Sequence, residues 1–272
     1  MTRLALYQPD ARSGARLSSA LGNEHRLAVC ESWAELERTL ASGTVEGCVL
    51  DADHPAPRES LDRIKSLRRA HPELALIGFT DRDGPLDYYA LGASGLDGFV
   101  SGGDGAMTTR NAVEAALAVH RGRATERALE PHLPAPAPEV VGWGVIHAGS
   151  AATTEDLAAA LGTSLRALRE RLRERNLPPP ATLLVWGRLV AAAARLHRDG
   201  GTVEDAAFAL GYAAAPSLAR AIRNRTGATP GELAEVGPDL VLRGLVGEVT
   251  GIPVQVRLHP GGDNARTSED RS

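Results

Sequence analysis

The sequence predicts a doubly wound α/β domain followed by an all-α domain carrying two helix-turn-helix units. Three observations predict it. Residues 1–126 alternate apolar runs with amphipathic stretches five times over, residues 131–138 concentrate proline, and a ten-residue pattern then occurs twice, as TTEDLAAALG at 153–162 and TVEDAAFALG at 202–211. A length of 272 residues suits about two domains. The divisions expected are an α/β domain over 1–126, a proline-rich linker over 127–138, a double helix-turn-helix domain over 139–235, and a partly disordered extension over 236–272.

In chain order, 4–7, 27–30, 47–50, 74–79 and 98–100 read as strands. The segments 11–21, 33–40, 60–70, 84–91 and 110–121 read as the helices between and after them. Strands that are apolar throughout rather than at alternate positions belong to a parallel sheet covered on both faces. The proline-rich stretch reads as an interdomain spacer.

Each copy of the repeat reads as a short helix. Thr153 and Thr202 are N-caps, and Glu155, Asp156, Glu204 and Asp205 stand in the first turn, where the helix dipole favours negative charge. Gly162 and Gly211 permit the left-handed turn that ends it. An arginine-bearing helix follows each copy, with an i, i+4 apolar stripe at Leu168 and Leu172 and again at Leu218 and Ile222. The echo continues into Asn176-Leu177-Pro178-Pro179 and Gly227-Ala228-Thr229-Pro230. Two copies are too few for a solenoid. Between the units, 181–198 reads as one long helix with Leu183, Leu184, Trp186, Leu189, Val190 and Leu196 among its apolar residues. Eighteen residues rise roughly 27 Å.

Residues 138–233 resemble the DNA-binding domain of AraC/XylS-type transcription regulators, in which two helix-turn-helix units are joined by a long helix. The resemblance is most specific at ALGY (209–212), RAI (220–222) and GATPGEL (227–233); Leu218 or Ile222, and Leu233, stand where the family has large aromatics. It implies DNA contact through Ser164, Arg166, Arg169, Glu170 and Arg173 in the first unit and through Ala215, Ser217, Arg220, Arg223 and Arg225 in the second. With Leu168 and Leu172 pointing inward, Arg166 and Arg169 fall on the outer face, where an arginine can grip guanine bidentately. Glu170 can accept from cytosine or orient a neighbouring arginine. Ala215 and Pro216 offer little hydrogen bonding, so the first unit is expected to read bases and Arg220, Arg223 and Arg225 to hold phosphate.

Basic surface alone argues little, because arginine supplies all but one of the 30 basic residues, the exception being Lys65. The net charge of −4 argues against strong nonspecific nucleic-acid binding.

The front half resembles the receiver domain of two-component response regulators, which implies a flavodoxin-like α/β fold. Asp51 ends the third strand and Pro55 follows four residues later, as the family's phosphoacceptor and proline do. Thr80 stands where the family places its switch hydroxyl. The family's acidic pair falls on Gln8 and Pro9, leaving only Asp10 nearby, and its lysine falls near Ser101 or Gly102. Without the pair, Mg²⁺ affinity should fall steeply. The expected domain is therefore a receiver that has lost phosphorylation. No cofactor is expected, Mg²⁺ entering only if the acidic pocket is active, with Asp10, Asp51 and Asp53 as a reduced ligand set.

The function expected is a sequence-specific DNA-binding transcription regulator, phosphorylation-independent, and not an enzyme. The alternatives are a phosphorylatable two-component regulator using Asp51, an interaction adaptor, and a phosphatase of haloacid-dehalogenase type built on Asp51-Ala52-Asp53. The last conflicts with His54-Pro55 in place of small residues and with the motif's position on the third βα unit. Expected partners are double-stranded DNA, a second copy bound through the fourth and fifth units of the front half, and RNA polymerase.

No Walker loop, nucleophile elbow or clustered His/Cys metal set is found, and the eight histidines are scattered. Cys30 and Cys48 are expected buried and reduced, and Trp143 and Trp186 packed within the DNA-binding domain. No leader or membrane span is evident, so a cytoplasmic location is expected. Residues 254–258 alternate as a strand would, and 264–272 are polar enough for disorder.

Overall fold

The computed structural model describes residues 2–81, 85–198 and 201–252. Five parallel strands, β1 (Thr2–Tyr7), β2 (His25–Cys30), β3 (Gly47–Asp51), β4 (Ala75–Thr80) and β5 (Gly98–Ser101), form one sheet in the order β2-β1-β3-β4-β5. That is the flavodoxin-like doubly wound order, which the handedness of βαβ crossovers permits with helices on both faces. Every residue of β3 and β4 is buried, as strands covered on both faces require. Alternate residues feed two cores. Leu50 and Leu76 pack with Leu36 and Leu40 of α2 (Trp33–Ala41) and Ile64 and Leu67 of α3 (Pro57–Ala70). Val49 and Ile77 pack with Leu17 and Leu21 of α1 (Ala11–Leu21) and Val113 and Leu117 of α5 (Ala106–Leu129). Helix α4 (Pro85–Gly92) contributes Leu91 to the α2–α3 side.

Asp97, just before β5, ties three elements together. Its carboxylate, 3% exposed, accepts from Arg68 Nη2 of α3 at 2.6 Å, from the Leu76 amide at 3.0 Å and from Arg123 Nη1 of α5 at 3.3 Å, with His120 Nδ1 also at 3.3 Å. Burial pushes the Asp97 carboxyl up, but the hydrogen bonds from His120 and the Leu76 amide, with the Arg68 charge, outweigh it and hold the group below its ordinary value. A depressed carboxylate stabilises the fold above its unfolded-state pKa, and that contribution is lost as pH falls through the folded-state pKa. Asp97→Asn is expected to cost about 2 kcal/mol at pH 7. It should also flatten the loss of stability below about pH 4. Urea denaturation at pH 7 and pH 3 checks both, and an acid branch as steep as the unaltered chain's would refute the assignment.

The C-terminal half is built from eight helices among the described residues: α6 (Ala137–Ile146), α7 (Thr154–Ala160), α8 (Leu165–Glu174), α9 (Pro180–Arg198), α10 (Val203–Ala209), α11 (Ala215–Thr226), α12 (Pro230–Val236) and α13 (Pro238–Thr250). One buried cluster runs through them from Leu129 to Val246. All six apolar residues expected in the long helix are buried on α9.

The proline-rich stretch expected as an interdomain spacer over 127–138 is partly helical and partly buried. Helix α5 continues to Leu129, and Leu129, Leu133 and Ala137 are buried in the C-terminal core. The reason lies in the apolar residues recurring every four positions, which give even a proline-rich stretch one face to bury. Glycines then let helices meet at backbone distance. A Cβ on Gly122 of α5 would lie 2.7 Å from the carbonyl oxygen of Gly142 on α6, and one on Gly187 of α9 would lie 2.8 Å from the Cα of Gly144. Helix α6 thus joins α5 to α9 by two close crossings.

Cys30 and Cys48 are buried free thiols, and burial pushes Cys48 up to about 12. The residues left unassigned after the second unit form α13 as far as Thr250. The strand expected over 254–258 and the disorder expected over 264–272 lie outside the described residues. No described helix is long and apolar enough to cross a membrane.

Candidate nucleic-acid interface

Both copies of the repeat close in the same way. Thr153 and Thr202 cap α7 and α10 through capping boxes with Asp156 and Asp205. Thr163 N donates to the Ala158 carbonyl at 3.0 Å, and Tyr212 N to the Ala207 carbonyl at 2.9 Å. Gly162 and Gly211, at φ of 63° and 72°, make these turns possible. The two basic helices then bury the expected stripes, Leu168 with Leu172 and Leu218 with Ile222. Asn176 ends its segment in the left-handed region at φ 54°, and Gly227 does so after α11 at φ 72°.

Arg166, Arg169, Glu170 and Arg173 are all exposed on α8. Glu170 Oε1 lies 3.4 Å from Arg173 Nη2, so the acid is paired within its own face. Ser164 caps the helix, its hydroxyl accepting from the Ala167 amide at 3.2 Å. On α11, Pro216, Ser217, Arg220 and Arg223 are exposed and Ala215 half-buried. Helix α11 has Ala214 at its N-cap and therefore no side-chain cap.

Arg225 is half-buried and paired within the protein. Its Nη1 reaches both carboxylate oxygens of Glu248 on α13 at 3.4 Å. The extra helix turns this arginine toward the domain's own C-terminal packing. Sequence reasoning missed the pair because Glu248 lies 23 positions away on a helix it did not assign. Trp186 is fully buried on α9, while Trp143 is half-buried and stacks on His147 with ring centroids 4.1 Å apart.

The acidic pocket lies at the carboxyl ends of the strands, where doubly wound sheets bind ligands. Asp51 is buried, and its Oδ1 accepts from the Asp53 amide at 2.8 Å. Burial, joined by the Asp53 charge, pushes the Asp51 carboxyl up against the opposing hydrogen bond. The Asp53 carboxylate accepts from Thr80 Oγ1 at 3.1 Å and from the Asp81 amide at 2.8 Å. Asp10 faces away, capping α1 through Ser13 N at 2.7 Å in an exposed position. The buried Gln8 brings a neutral amide where the resemblance implied an acid. A Cβ on Gly102 would fall on the Asp81 carboxylate, so no lysine fits there with Asp81 in this position.

These residues do not suit Mg²⁺. The set Asp10, Asp51 and Asp53 is not brought together, because Asp10 serves its own helix and Asp53 is engaged by the end of β4. Among the described residues the single group of three ligand types within mutual reach is Glu24, His25 and Glu114, at the opposite end of the strands. Asp81 and Arg16, whose guanidinium donates to the Gly102 carbonyl, were not anticipated. The one sequence signal was an acid directly following Thr80.

The model of a helix-turn-helix domain matches residues 157–235. Among solved structures, the receiver domain of the TMAO respiratory system response regulator TorR is similar to this chain at 21% identity, covering 43% of this chain and 97% of its own, with a TM-score of 0.39. The beryllofluoride-activated NtrC4 receiver domain dimer is 16% identical over 44% of this chain and 99% of its own, TM-score 0.40. CheY4, a chemotaxis protein of Vibrio cholerae, is 12% identical over 43% and 98%, TM-score 0.39. No curated protein matches the chain.

Strand order and the matched stretch together define what the chain holds: a flavodoxin-like, doubly wound α/β domain followed by a helical half that carries a helix-turn-helix domain. More particularly, the matched stretch, residues 157–235, takes in both basic helices, α8 and α11, and α9 between them.

Proposed function

We propose that the chain is a sequence-specific transcription regulator whose first helix-turn-helix unit reads bases, whose second grips the backbone, and whose front half works without phosphorylation. The observation that carries the reading is the exposed pair Arg166 and Arg169 on α8, directly after a capped helix and a glycine turn that recur in the second unit. Arg220 and Arg223 stand free of the core on α11, and the uncapped start of that helix offers backbone amides to phosphate. Selection of bound fragments from random DNA by the full-length chain, followed by footprinting, is expected to return one protected sequence. Recovery of no preferred sequence at any salt concentration would instead favour the adaptor reading.

The functional halves proposed are 1–126 and 139–235, acting in the cytoplasm where a DNA regulator works. Tyr89, Phe99 and Met107 of α4, β5 and α5 leave an apolar face exposed, Tyr89 by 78% and Met107 by 64%, which supports pairing of two copies there. A strictly monomeric full-length chain in light scattering would count against it. Phe208, 88% exposed on α10, gives the DNA-binding half an apolar contact for RNA polymerase.

A further inference from the structure

The sheet register places Asp51 beside Phe79, so Thr80 and Asp81 are the next residues along the neighbouring strand. Their two donors, a hydroxyl and a backbone amide, converge on one carboxylate two residues after Asp51. Such a convergence is an oxyanion pocket, in which fixed dipoles point at one small negative group. Here the negative group is supplied from within. Both oxygens of Asp53 take the Thr80 hydroxyl at 3.1 Å, and Oδ2 also takes the Asp81 amide at 2.8 Å. The Asp53 amide meanwhile holds Asp51 at 2.8 Å, so two successive acids are fixed side by side.

We infer that Asp53 is a positioning residue that fills this oxyanion pocket permanently, holding Thr80 and the start of the β4–α4 connection in one arrangement. The inference rests on the phosphorylation-independent reading and gives it a cause. An oxyanion arriving on Asp51 would have to displace a carboxylate from its two donors and enter beside a second negative charge. Charge-assisted hydrogen bonds of this kind are strong in a part-buried site. The neighbouring loop is fixed in the same sense. The Asp81 carboxylate covers Gly102, and Arg16, stacked over Phe79 at 5.5 Å, donates to the Gly102 carbonyl.

The pocket's own chemistry supplies the test. Asp53→Ala leaves the donors without their carboxylate and opens a space of formate size beside a half-buried position. In the full-length protein this variant is expected to melt a few degrees lower than the unaltered chain. Sodium formate should restore at least half of that loss saturably, relative to sodium chloride at equal ionic strength, and should give the unaltered chain no such gain. Adding Thr80→Val to Asp53→Ala should abolish the formate effect. A merely structural role for Asp53 would give the melting loss without formate rescue, and that result would overturn the inference. Should Asp53→Ala fail to fold, hydrogen exchange at the Asp81 amide in the isosteric Asp53→Asn decides instead. Exchange about tenfold faster is expected, and unchanged exchange would overturn the inference.

Acetyl phosphate separates this inference from the reading beneath it. Asp51-dependent gain of a phosphoryl mass by the unaltered chain defeats phosphorylation independence whatever formate does. No phosphoryl gain, with no formate rescue, defeats only the role given to Asp53.

Discussion

Replacing Arg166 and Arg169 together by alanine is expected to erase most of the preference for the selected DNA sequence while leaving residual nonspecific binding. Each bidentate arginine–guanine contact is worth about 1–3 kcal/mol of discrimination, so the pair accounts for roughly 2–6 kcal/mol if the effects add. The two residues are one helical turn apart on α8 and share a face, so some coupling is expected. Arg223→Ala should behave differently. A phosphate contact carries no sequence information, so its loss weakens every sequence alike and lowers the salt slope by about one unit. Fluorescence anisotropy of each variant on the selected site and on a scrambled duplex, across salt concentrations, measures both quantities. The division of labour fails if the double variant and Arg223→Ala lose the same ratio of specific to nonspecific affinity.

Much of this interface was legible in the sequence because helix ends are written locally. A threonine cap, acids in the first turn and a terminal glycine lie within ten residues, and each acts on backbone groups a turn away. The same holds for the sheet, where uninterrupted apolar runs announce strands buried on both faces. What escaped were pairings between polar groups far apart in the chain. Asp97 meets Arg68 of one helix and His120 and Arg123 of another, and nothing periodic marks it. The hold of Asp53 on Thr80 likewise spans 27 positions and depends on strand register. Arg225 looked like its neighbours until α13 supplied Glu248. The spacer misled because proline content says little about whether the leucines between prolines have a surface to cover, and α6 provides one here.

Trp186→Ala is expected to be the most destabilising single change in the C-terminal half. The indole is fully buried on α9, and its far edge lies 3.2 Å from where a Cβ on Gly244 of α13 would stand. Emptying such a site costs about 3–5 kcal/mol, the transfer term plus the cavity left behind. Among the described residues its Nε1 has no hydrogen-bond partner, so the polar atom contributes little and is dispensable. Trp186→Phe should therefore cost far less, within about 1.5 kcal/mol. Because α9 carries the core contacts of both helix-turn-helix units, loosening it frees the two basic helices from one another as well as lowering stability. The alanine variant should lose DNA affinity even at temperatures where it remains folded, whereas the phenylalanine variant should retain it. Urea denaturation followed by circular dichroism, with anisotropy on the selected site, tests the pair. Alanine and phenylalanine variants of equal stability would show that the packing of α9 against α13 is not what holds the two units in register.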